Sequence, residues 1–82
     1  MTRYFFNVED SVGSPDDEGT ELEGLATAKC EAVKLAGRVI IDAARSFWEK
    51  GDWKMTVTDE SGLLLFSLLF VGVEAAAIST KT

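Results

Sequence analysis

Histidine is absent from this chain of 82 residues, and Cys30 is its only cysteine. A disulfide within one chain is therefore impossible, and a structural zinc site lacks its ligands. There is no imidazole base, and no serine or cysteine stands in a recognisable nucleophile setting. No phosphate-binding glycine pattern occurs either. The carboxylate pairs Asp16-Asp17 and Asp59-Glu60 fall in turns, where solvated acids are the plain reading. The chain reads as a non-enzyme with no cofactor and no metal.

Basic residues are scarce as well. Eight Lys and Arg against 14 Asp and Glu leave a net charge of −6. That balance disfavours nucleic acid, because duplex binding rests on Lys and Arg displacing counterions from phosphates. It disfavours an anionic membrane surface for the same reason. Long apolar runs are missing too. The best candidate, Leu63 to Val73, has 11 positions and is interrupted by Ser67 and Gly72. A spanning helix needs about 20, so a buried strand is expected there and no membrane insertion. The opening residues are too short for a secretory signal core, which points to a cytoplasmic protein.

What remains is a folded domain: hydrophobic residues make up 46 %. The expectation is a single α+β domain over 1–82, with 71–82 left unassigned. Chains this short bury only roughly 60–65 % of their unfolded surface, so the core is thin. With disulfides and zinc excluded, pairing with a second copy is the remaining remedy, and a homodimer is expected.

Along the chain, Thr2 to Glu9 alternates as a strand, with Tyr4, Phe6 and Val8 on its core face. Asp10 to Thr20 is turn chemistry, and a short strand near Ser11-Val12 or Thr20-Leu22 is expected to pair back. Seven acids lie between Glu9 and Glu23. A calcium loop fails here: with Gly19 at the sixth position, Leu25 would occupy the twelfth, where a bidentate acid is required. Asp16, Asp17 and Glu18 remain as a candidate acidic surface for a basic protein partner.

One long helix is expected from Leu25 to Lys50, with Thr20 or Gly24 near its start and Gly51 as its stop. Leu25, Ala28, Ala32, Leu35, Ala36, Val39, Ala43 and Phe47 form the core stripe, widened by Val33 and Ile40. Its alanines let the helix approach a sheet closely. The outer stripe has Lys34, Arg38 and Arg45, each three or four residues from Glu31, Asp42 or Glu49, so self-paired solvated charge is expected. A third stripe, Cys30, Gly37, Ile41 and Trp48, adjoins the core face and is a candidate contact for another chain.

A hairpin follows, Trp53–Thr58 and Leu63–Phe70. A three-residue loop with a bulge at Gly62 would place Val57 beside Leu65. A four-residue loop would pair Thr58 with Leu63 and gather Trp53, Met55, Val57, Leu64, Phe66, Leu68 and Phe70 on one face. The second collects every aromatic of the hairpin and is the expected register. It leaves Leu63, Leu65 and Leu69 on the other face, with Phe5 nearby, awaiting cover from the C-terminal residues or a second protomer. Phe5, Cys30, Ile41, Trp48, Leu63, Leu65 and Leu69 are accordingly the candidate interface.

The order of signals also carries a resemblance. Arg3-Tyr4-Phe5-Phe6-Asn7-Val8 leads to Asp17-Glu18-Gly19-Thr20-Glu21-Leu22, then Leu25-Ala26-Thr27-Ala28 and Val57-Thr58-Asp59-Glu60-Ser61-Gly62. This resembles a family of short bacterial proteins classed as a domain of unknown function, common in soil and plant-associated species. The resemblance runs to about Phe70, and the chain departs from it at Leu63, where members tend to have a polar residue. The layout is distantly similar to HicB-type antitoxin domains. The strands and helix read along the chain give a small antiparallel sheet of three to four strands packed on one long helix, in the order β-(β)-α-β-β, and such domains likewise pair a small sheet with one helix. Two functions follow: a homodimeric interaction or structural module, or an antitoxin-like regulatory domain that binds a basic protein through the acidic loop.

Overall fold

The computed structural model describes residues 1–9 and 15–76. Its elements are β1 (Thr2–Glu9), β2 (Thr20–Leu22), α1 (Leu25–Asp42), α2 (Phe47–Lys50), β3 (Asp52–Thr58) and β4 (Leu64–Val71). The four strands form one antiparallel sheet in the order β2-β1-β3-β4, so the fold is α+β as expected. Of the two sites considered for β2, Thr20–Leu22 forms it, pairing Tyr4 with Thr20 and Thr2 with Leu22. The other, Ser11-Val12, lies outside the described residues, as does the second half of the C-terminal segment, 77–82.

One sheet face takes the helix. Tyr4 and Phe6 from β1 and Trp53, Met55 and Val57 from β3 are buried there against Ala28, Ala32 and Ala36 of α1. Ala28 and Ala32 are fully buried, which is the close approach that a small-residue stripe permits. Val8, Leu35, Val39, Ile40 and Phe47 pack around this cluster. Leu25 and Val33, expected in the stripe, are exposed, because the sheet is narrower than the apolar arc.

The long helix is not continuous. α1 ends at Asp42, and the N–H of Ala43 bonds to the carbonyls of both Val39 (3.0 Å) and Ile40 (3.2 Å). This i→i+3 tightening closes the last turn and satisfies carbonyls that a helix end leaves open. The chain then turns back toward the sheet, and α2 sets Phe47 edge-on to Phe70, with ring centroids 6.5 Å apart. Gly51 ends α2 in the left-handed conformation, as its position predicts. Gly24 caps the start of α1 without a side-chain bond.

The hairpin corrects the expected register. The N–H of Asp59 bonds to the Leu63 carbonyl (3.1 Å), and the Gly62 N–H bonds to the Asp59 carbonyl (3.0 Å). The loop is therefore the three-residue one, with Gly62 at φ 86°. The Asp59 carboxylate also accepts from the Ser61 hydroxyl, the Leu63 N–H and the Ser61 N–H, and these bonds hold its pKa below the ordinary value. Thr58 pairs with Leu64, but Val57 pairs with Phe66, so Leu65 is an unpaired bulge. Beyond it, Met55 pairs with Leu68 and Trp53 with Phe70. Leu65 packs toward the core, and Leu64 is exposed instead, the reverse of the expectation for both.

Candidate interaction surface

The two sides of the sheet are finished differently. On the β1 side, pairing with β2 stops at Tyr4, leaving the Phe6 N–H without a strand. Asp16 supplies the missing acceptor: its carboxylate takes the Phe6 N–H at 3.1 Å, along with those of Glu18 (3.1 Å) and Gly19 (3.0 Å). The Asn7 side chain accepts the Asp16 N–H in return (2.9 Å). Partial burial pushes the Asp16 pKa up, but the Gly19, Phe6 and Glu18 N–H groups, with the Arg3 charge, outweigh it and hold it below the ordinary value. Arg3 bonds to the Glu18 carbonyl and the Glu21 carboxylate, each at 2.7 Å. Gly19 fits this loop at φ 73°, against Arg3 and Phe5, where a Cβ would collide. This side is thus protected by a short strand, a side-chain cap and charge.

On the β4 side none of these devices is present among the described residues. The Gly72 N–H bonds to the Gly51 carbonyl (2.9 Å), and with the paired register this sets the alternation of the strand. Phe66, Leu68 and Phe70 turn their N–H and C=O groups toward β3, and Ser67, Leu69 and Val71 turn theirs outward. No charged residue occurs from Ser61 to Val73. Leu69, Phe70 and Val71 are 63 %, 49 % and 59 % exposed.

Beside this open strand runs a groove of about 200 Å³, lined by Val33, Ala36 and Gly37 of α1 and Leu68, Leu69 and Phe70 of β4. Ile41, one turn beyond Gly37, is 75 % exposed. Trp48, 56 % exposed, lies over Gly72: a Cβ there would come within 2.7 Å of the indole ring. The surface is an apolar band along one side of the molecule.

The sequence-predicted interface residues fall partly on this band. Leu69 lines the groove with Gly37; Ile41 and the exposed Cys30 continue the same helix row, and Trp48 lies over Gly72, just past the end of β4. Leu63 is exposed in the hairpin turn. Leu65 does not belong, since it packs on the core, and Phe5 lies on β1 beside Gly19, separated from β4 by β3. Val33, Phe70, Val71 and the outward backbone of β4 were missed. The sign of them in the sequence was a charge-free last strand.

The remaining predicted surfaces are weaker. Asp16 is held inside its loop, which leaves Asp17 and Glu18 as the exposed acids of the predicted acidic surface. On the outer face of the helix, Glu31–Lys34 closes at 3.5 Å, but Arg38, Asp42, Arg45 and Glu49 form no ion pair among the described residues. The turn after Asp42 takes Arg45 and Glu49 off the α1 helix line. No group of His, Cys, Asp and Glu among the described residues is arranged to hold a metal ion. No helix among them is long and apolar enough to cross a membrane.

Neither a curated protein nor a solved structure matches the chain. A family model described as a domain of unknown function, DUF6894, matches residues 3–71, which run from the second residue of β1 to the end of β4 and so contain all of the sheet but Thr2, together with α1 and the groove. The chain belongs to the DUF6894 family.

Proposed function

We propose that this chain is a non-enzymatic interaction module that acts as a homodimer, with the α1–β4 band as its contact surface. The observation that carries the reading is the open, uncharged β4 edge beside the apolar groove. An apolar, uncharged edge strand is a template for pairing with another chain, and β4 runs in regular register from Phe66 to Val71 beyond its bulge at Leu65. The absence of histidine supports the non-enzymatic part, and the resemblance to short bacterial proteins supports a bacterial, cytoplasmic setting.

Sedimentation equilibrium tests the proposal. The expected result is twice the 8.9 kDa chain mass at micromolar concentration. The Leu69→Lys variant, which places a charge on the edge, should return it to the monomer mass with an unchanged circular dichroism spectrum. A wild-type monomer at high concentration would sink the proposal.

A further inference from the structure

The geometry points to a specific mode for this dimer. We propose that two copies of β4 pair antiparallel about a two-fold axis at Leu69, joining two four-stranded sheets into one continuous sheet. This inference rests on the homodimer reading above and names its contact.

The outward-facing residues of the regular part of β4 are Ser67, Leu69 and Val71, and Leu69 is their centre. The bulge at Leu65 ends the regular edge on one side, and Gly72 bonding to Gly51 ends it on the other. A two-fold at Leu69 sets Leu69 opposite Leu69 and Ser67 opposite Val71, so every outward N–H of the three meets an outward C=O. The same register puts Leu68 opposite Phe70 on the helix side. Phe70 of one copy then enters the groove of the other, under Val33 and beside Gly37, whose missing Cβ leaves the space clear.

Area and charge agree with a second copy as the occupant. Val33, Ile41, Trp48, Leu69, Phe70 and Val71 are each about half exposed or more. At roughly 100 Å² apiece they offer on the order of 600 Å², close to the ~800 Å² per partner of a standard interface once the strand backbone is added. The acids of the Asp16–Glu23 loop and β2 lie at the opposite edge of the sheet. Pairing through β4 therefore holds the two negatively charged regions apart.

Amide hydrogen exchange on the unaltered protein tests the mode. At high concentration the N–H groups of Ser67, Leu69 and Val71 should be protected along with those of Phe66, Leu68 and Phe70. On dilution below the dissociation constant, the first three should lose protection at least tenfold while the second three keep it. A disulfide scan gives a second readout. In a Cys30→Ser background, Leu69→Cys should cross-link with itself faster than Ser67→Cys or Val71→Cys alone, and a mixture of the last two should cross-link to each other. A dimer by sedimentation in which Ser67, Leu69 and Val71 exchange freely, or which cross-links best through Ile41→Cys, overturns strand pairing while the homodimer stands. A monomer overturns both. Cross-linking fastest at Ser67→Cys moves the axis and overturns the register.

Discussion

Val57 faces Phe66 across the hairpin, one position beyond the partner that the turn alone would give it. The bond between Asp59 and Leu63 starts the ladder in the register that would bring Leu65 opposite Val57. The bulge at Leu65 consumes one residue and turns the rest of β4 over. Met55 and Trp53 thereby meet Leu68 and Phe70 on the helix side. Had the turn register run on, Leu65, Ser67 and Leu69 would face the helix and the aromatics would face water.

Deleting Leu65 should therefore leave the sheet intact. The shortened strand would pair Thr58 with Leu64 and Val57 with Phe66 without interruption. The expected cost is about 1–2 kcal/mol, from the lost packing of a partly buried leucine. Chemical denaturation measures it, and cross-strand nuclear Overhauser contacts between Val57 and Phe66 report the register. Loss of those contacts would show that the bulge does more than correct phase.

Gly62 carries the turn at φ 86° in open space, with nothing near a Cβ placed there. Gly62→Ala should destabilise by about 1–2 kcal/mol through backbone conformation alone. Gly62→Asn should recover part of that loss, since asparagine tolerates the left-handed region. Equal midpoints for the two variants in urea would contradict the backbone explanation.

Asp16 closes the β1 edge with a carboxylate whose pKa is depressed in the fold. Such a group contributes stability that is fully present above the unfolded value near 4 and is lost as pH falls through the folded value. Asp16→Ala should cost about 2 kcal/mol at neutral pH, the size of bonds to a charged acceptor. The gap between wild type and variant should close on acidification below about pH 4. A gap that stays constant down to pH 2 would mean the charge is not what holds the loop.

Ala32 is fully buried where α1 crosses the sheet. Ala32→Leu should destabilise by about 2 kcal/mol or more, because added methylenes in a packed contact force the helix outward. Gly37→Ala, on the open side of the same helix, should be neutral or stabilising in folding, since no atom lies within reach of its Cβ. Thermal unfolding of both variants compares the two sides directly.

Trp53 is buried and its indole N–H has no hydrogen-bond partner among the described residues, whereas Trp48 is exposed over Gly72. In a Trp53→Phe background, Trp48 emission should shift to the red on dilution if the band is the dimer contact. The same dilution with Leu69→Lys should leave it unchanged.

Local pattern was enough for β1, for the alanine stripe of α1 and for the roles of Gly51 and Gly62, because each depends on the periodicity or backbone freedom of adjacent residues. It also identified Leu69, Gly37, Ile41 and Trp48 as apolar positions left over by a small core. The break after Asp42 and the exchange of Leu64 with Leu65 were not legible, because both depend on residues far apart in the chain. Phe47 must reach Phe70, and Phe66 must reach Val57, and a bent helix and a bulged strand bring them there. Which strand lies at the open edge was likewise decided by tertiary structure. The sequence by itself determined that the last strand carries no charge; the sheet order determined that this strand has β3 on one side and no strand on the other among the described residues, and only the two together make a surface.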